Sequence, residues 1–169
     1  MTNTNFERVR TLILFGTIAV FLYVVNSGIY RAEKVIAEGI PVYMELAPVD
    51  PRSLIQGDYM RLAYQIEDDA YLANLGEVYR GQLVVRLDAD RVAHFVRLYE
   101  GEDLAEDEMI MNFYSRGSGS VRVGADSFLF QEGLAEQYAD AHYAEVRVTS
   151  GGTIMLIDLV GENFEKLVD

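Results

Sequence analysis

Residues 143–160 read YAEVRVTSGGTIMLIDLV. Two runs rich in apolar and β-branched residues, 143–149 and 153–160, flank Ser150-Gly151-Gly152. Glycines at that point supply the positive φ of a tight connection, so the stretch predicts an antiparallel hairpin. The same grammar extends outward. Val42, Met44 and Leu46 alternate within 40–48, which predicts a half-buried strand ended by Pro48-Val49-Asp50-Pro51. Met60, Leu62, Tyr64 and Ile66 alternate with polar or small residues and predict a second strand with one apolar face. Residues 82–88 and 91–99 predict two more strands joined by an Asp88-Ala89-Asp90 turn. Further extended segments are predicted at 109–114, 121–123 and 127–131. Helical spacing of Tyr71, Leu72 and Leu75 predicts a short helix within 68–79, capped by Asp68 or Asp69, and a second lies within 133–141. The expected fold class is mainly β with short helices (α+β), in one antiparallel, partly closed sheet of about eight strands.

Residues 1–34 follow a different rule. The run from Thr11 to Tyr30 carries no charge, and it is apolar from Leu12 to Val25 except for Gly16, Thr17 and the Tyr23 hydroxyl. At about 1.5 Å per residue it spans about 30 Å, the thickness of a bilayer's hydrocarbon core. Arg8 and Arg10 flank one end, Arg31 and Lys34 the other, with Tyr23 and Tyr30 toward the exit. Asn26-Ser27-Gly28 is a poor cleavage site, and a buried core helix has no need to be apolar on every face, so a single-pass anchor is the favoured reading. The expected layout is a cytoplasmic tail at 1–10, a transmembrane helix and its extension at 11–34, and an extracytoplasmic domain at 35–169.

The 169 residues carry 27 acids against 14 bases, a formal net charge of −13. Residues 1–34 are net +2 and the remainder net −15. That balance argues against a nucleic-acid partner, which needs a basic patch, and against a domain lying on anionic head groups. With no cysteine, the chain has no disulfide framework, thiolate nucleophile or cysteine zinc site.

Residues 48–64 read PVDPRSLIQGDYMRLAY. Gly57-Asp58-Tyr59, Leu62 and Tyr64 match in full the pattern of the GDYXXLXY family of bacterial proteins, which the chain resembles from the anchor through Phe128 to 143–146. The resemblance implies a small membrane-anchored protein, encoded beside multi-pass membrane proteins, with no established activity and no known catalytic residues. Read physically, Gly57 permits a turn, Asp58 holds it through amide hydrogen bonds, and Leu62 and Tyr64 share a core-facing side while Tyr59 faces away. Asp50 and Arg52 can pair across the preceding turn. Against this corner-forming role stands a recognition role in which Asp50, Arg52, Asp58 and Tyr59 meet a partner or ligand. The stretch 53–58 is also similar to the segment after the nucleophile of signal peptidases. The upstream serine is missing, however, and Lys34 and Lys166 are the only lysines, which argues against a Ser53–Lys dyad.

Other clusters carry less. Glu100 to Glu108 holds six acids, but its spacing matches no calcium loop, so a solvated acidic loop is expected. His94 and His142 have no companions at fixed spacing and are expected to be surface or packed residues. The 11 tyrosines are expected mostly in the core. No cofactor or metal is called for. The expected role is an accessory or interaction subunit of an integral membrane protein, not an enzyme. The alternative is an envelope hydrolase or ligand-binding module using the corner from Pro48 to Tyr59.

Overall fold

The computed structural model describes residues 3–47, 59–72, 78–115 and 120–168. The chain divides into two compact units, 1–37 and 38–169. The first is the helix α1 (Asn3–Glu38). Its stretch from Phe6 to Glu38 has a mean hydropathy of 2.1 over its most apolar window, and none of that window is buried inside the protein. Length and composition suffice to cross a membrane. Its polar side chains turn inward on the helix itself. Thr11 and Thr17 hydroxyls donate to the carbonyls of Glu7 and Ile13 at 2.9 Å, and Asn26 and Ser27 donate to Leu22 and Val24 at 2.8 Å. Polar groups satisfied in this way suit a medium that offers no water.

The second unit contains β1 (Ile40–Glu45), β2 (Tyr59–Arg61), α2 (Gln65–Leu72), β3 (Arg80–Leu87), β4 (Ala93–Leu98), β5 (Glu108–Ser115), β6 (Val121–Arg122), β7 (Ser127–Leu129), α3 (Ala135–Tyr138), β8 (Tyr143–Val148) and β9 (Ile154–Val160). The strands sort into three sheets, ordered β1-β8-β9, β2-β7 and β4-β3-β5-β6, rather than one partly closed sheet. Every ladder is antiparallel. Isolated bridges at Tyr43 to Val92 and Leu46 to Tyr64 tie the first sheet to its neighbours.

Alternation explains which face each strand buries. Val42 and Met44 of β1 stand opposite Val146 and Ala144 of β8, and all four are fully or nearly fully buried. Leu83 and Val85 of β3 meet Met111 and Met109 of β5 on the other side of the same core. Burying each such Val, Leu or Met side chain contributes about 1.5–3 kcal/mol. Val84 points the opposite way, yet is also buried, because its cross-strand neighbours are Ile110 and Arg97. The aliphatic stem of an arginine can cover apolar surface while its head stays wet.

Two turns show why the hairpins close where they do. Asp88 accepts hydrogen bonds from the amides of Asp90 (3.0 Å) and Val92 (2.9 Å), and Arg91 completes the β3–β4 reversal at φ 64°. In the β8–β9 hairpin only Gly152 takes a positive φ (79°). Its carbonyl accepts from the Asn112 amide at 2.8 Å. The Gly151 carbonyl accepts from the side chains of Asn112 and Gln82, both at 3.2 Å. The hairpin tip thus docks onto β3 and β5 and joins two sheets.

Several expectations change. The strand expected over 60–66 stops at Arg61, and the helix begins at Gln65, ahead of Asp68 and Asp69, which are not its caps. Ile66 and Ala70, four apart, are its buried stripe. The helix in 133–141 shortens to four residues. Of the 11 tyrosines only Tyr64 and Tyr138 are buried, because Tyr23 and Tyr30 belong to α1 and most others lie on outward strand faces. Tyr43 and Tyr143, for example, flank Phe164 with ring centroids 4.6 and 4.9 Å away.

Candidate functional site

Leu62 and Tyr64 follow β2 and point into the core, as their two-residue spacing requires. The chain then turns into α2, where the Glu67 amide donates to the Tyr64 carbonyl at 2.9 Å. This reversal places three groups against the segment from Val121 to Asp126. The Leu62 amide donates to the Asp126 carbonyl at 2.9 Å. The Tyr64 hydroxyl donates to the Ala125 carbonyl at 3.0 Å. The Glu67 carboxylate accepts from the Val123 amide at 2.7 Å and from the Arg122 guanidinium at 3.0 Å. Gly124 between them has φ 86°, and a Cβ there would stand 3.7 Å from the Tyr64 ring. The segment is therefore gripped at nearly every residue by the chain that follows β2.

Glu67 is only 6% exposed. Burial pushes its carboxyl above the usual range, and the Val123 amide and Arg122 partly offset that push. The Tyr64 phenol is also raised, by burial first and then by the charges of Glu67 and Asp126. Arg122 bridges onward to Asp126 at 3.8 Å, and Asp126 accepts from the Tyr114 hydroxyl at 3.3 Å. A cleft of about 330 Å³ opens beside the network, lined by Ala63, Glu67, Asp68, Tyr71, Val121 and Arg122. Chemically this is a paired carboxylate–guanidinium cluster, in which the acid is bound to an amide and a cation.

Tyr59 faces the other way. It pairs with Leu129 across the β2–β7 ladder and is 37% exposed. Asp50, Arg52, Ser53, Gly57 and Asp58 lie outside the described residues, as does any pairing of Asp50 with Arg52.

A family model, GDYXXLXY protein, matches residues 21–159. The chain belongs to the GDYXXLXY family. No curated protein and no solved structure matches it. In this GDYXXLXY protein the last two signature positions, Leu62 and Tyr64, serve the core and the grip on 121–126, while Tyr59 is presented outward.

The acidic loop is organised by arginines. Glu108 accepts from Arg97 at 2.9 and 3.2 Å and from Arg86 at 3.3 Å, and Glu102 accepts from Arg97 at 2.8 Å. The Arg97 hydrogen bonds hold Glu108 below the usual carboxylate range. Its own amide and that of Glu100 lower Glu102, with Arg97 adding to the effect. Among the described residues no group of three or more His, Cys, Asp or Glu is placed to hold a metal ion. His94 binds Asp88 at 3.0 Å on the surface, and His142 is exposed.

Glu67 and Arg122 escape a reading of the sequence, since their partnership spans 55 residues. The local signal was the helical spacing of Ile66 and Ala70, which puts Glu67 on an amphipathic helix instead of the outer side of a strand.

Proposed function

We propose that this GDYXXLXY protein is a single-pass, membrane-anchored accessory subunit of a multi-pass membrane protein, with its β-rich domain outside the cytoplasmic membrane. The observation that carries the reading is α1. It exposes a surface that is apolar but for a few hydroxyl and amide groups, is uncharged from Thr11 to Tyr30 and is long enough to cross a bilayer, and it is attached to a folded domain of its own. Apolar area of that extent is costly in water and favourable in lipid. The net negative charge of residues 35–169 supports a domain that stands away from anionic head groups. The test is purification of tagged full-length protein from native membranes in mild detergent, with and without crosslinking in cells, followed by mass spectrometry. A stoichiometric multi-pass partner is expected. A clean monomer or homo-oligomer under both conditions would sink the accessory-subunit reading.

A further inference from the structure

Among the described residues, strand β7 has a neighbour on one side only. Its ladder to β2 pairs Tyr59 with Leu129, Met60 with Phe128 and Arg61 with Ser127. Among the described residues no backbone hydrogen bond reaches residues 127–129 from the other side. Edge strands of this kind are templates for another chain. Met60 is buried, whereas Tyr59 and Leu129 share the opposite, solvent-facing side, with Leu129 77% exposed. At the end of the strand an apolar groove of about 420 Å³ is lined by Leu129, Phe130, Gln131, Leu134, Tyr138 and Val168. Its floor is aromatic, with Tyr138 packed edge-on against Phe128 at 5.0 Å and tilted against Phe130 at 5.6 Å between ring centroids. The chain that follows β7 is acidic, while Arg61 of β2 stands opposite Ser127. Between Val123 and Val146 lie Glu132, Glu136 and Asp140, together with Asp126 and Glu145, which are paired to Arg122 and Arg147, and that stretch holds no lysine or arginine. Asp158 adds a further negative charge near the Tyr138 phenol.

We propose that the outer edge of β7 and the adjoining groove form a docking site for an extended segment of a partner protein in which apolar and basic residues alternate. The partner backbone extends the β2–β7 sheet, one apolar side chain enters the groove beside Leu129, and its basic side chains meet the acidic surround. Main-chain pairing supplies the affinity, and the alternate side-chain seat supplies the selection. The complementary charge speeds encounter and rejects acidic competitors. The proposal rests on the accessory-subunit reading and names the surface through which the domain meets its partner.

The test uses the full-length chain in phosphatidylcholine nanodiscs and a short peptide alternating lysine and leucine. Hydrogen exchange is expected to slow at the amides of residues 127–130 when the peptide is added. A peptide alternating lysine and serine is expected to bind at least tenfold more weakly. Leu129→Glu makes the surface more acidic but removes the apolar seat. It is expected to weaken the lysine–leucine peptide at least tenfold while leaving the melting temperature unchanged, since Leu129 is already exposed. Equal binding of the lysine–serine peptide, or undiminished binding to Leu129→Glu, would reduce the effect to charge attraction and overturn the proposal. Protection of the edge in the nanodisc before peptide is added would assign it to lipid. Protection that grows with the concentration of the chain alone would assign it to a second copy. Either result overturns the proposal. The two readings separate in cells. A multi-pass partner that copurifies equally with wild type and Leu129→Glu overturns this surface and leaves the accessory role standing. Specific peptide binding with no copurifying partner upholds the surface and removes the role.

Discussion

Glu67 is the residue on which the region after the signature depends. Its carboxylate satisfies the buried amide of Val123 and pairs Arg122. Replacing it with alanine leaves a buried donor unsatisfied, at a cost of about 1–3 kcal/mol. Glu67→Ala is therefore expected to lower the melting temperature by about 2–12 °C, using about 2–4 °C per kcal/mol for a chain of this size. Glu67→Gln keeps an acceptor for Val123 and is expected to lose less than half as much. Thermal melts of the two variants check this, and identical melts for both and wild type would show that the cluster contributes nothing. Leu62 and Tyr64, by contrast, were legible from the sequence, because two-residue spacing puts them on one face whatever the sheet order. At Ile66 the alternation from Met60 runs into a helix, because one apolar residue there fits either the next strand step or the start of an i, i+4 stripe that continues to Ala70. The choice was made by Ile66 and Ala70 packing into the core.

At the scale of elements, the β8–β9 hairpin was readable and its attachment was not. The sequence offers two adjacent glycines, and only the docking onto Asn112 distinguishes them. At Gly152 a Cβ would combine φ 79° with approaches of 3.1–3.3 Å to Asn112. At Gly151 the nearest atom would be the Thr149 hydroxyl at 3.9 Å. Gly152→Ala is expected to destabilise by about 1–2 kcal/mol from the left-handed backbone alone. Gly151→Ala is expected to be within about 0.5 kcal/mol of wild type. Denaturant melts of the pair check this, and equal losses would mean that the tip does not dock as described. The acidic loop gives the same lesson. Its six acids read as a solvated run, but Glu102 and Glu108 are partners of Arg97, which is supplied by the neighbouring strand β4.

The whole molecule carries two opposing responses to pH. Glu108 and Glu102 are held below the ordinary glutamate value of 4.5, so each contributes stability that is complete above that value and lost as pH falls toward the folded value. Asp88 acts in the same direction. Its burial opposes the shift, but hydrogen bonds from His94 and the amides of Val92 and Asp90 outweigh it. Glu67 is raised, so the folded state binds its proton more tightly than the unfolded state, and its contribution shrinks as pH rises through 4.5 toward the folded value. The melting temperature lost on Glu108→Gln is therefore expected to be larger at pH 7 than at pH 3. The loss on Glu67→Gln is expected to be larger at pH 3 than at pH 7. Melts of both variants in detergent at the two pH values check the signs, and parallel losses would contradict the assigned environments.

The sequence by itself determined the long apolar helix, the strand-rich domain after it, the hairpins at Asp88 and Gly152, and membership of the GDYXXLXY family. These are local properties. Hydropathy over a membrane-length run, alternation within one strand and a glycine in a turn all act through neighbours in the chain. Only the tertiary structure decided that the strands form three sheets, that Glu67 closes on Arg122 and Val123, and that Tyr59 and Leu129 stand together on an open face. Those outcomes depend on groups far apart in the chain. Their pairing is selected by burial and by the need to satisfy every buried polar group, which no local pattern encodes.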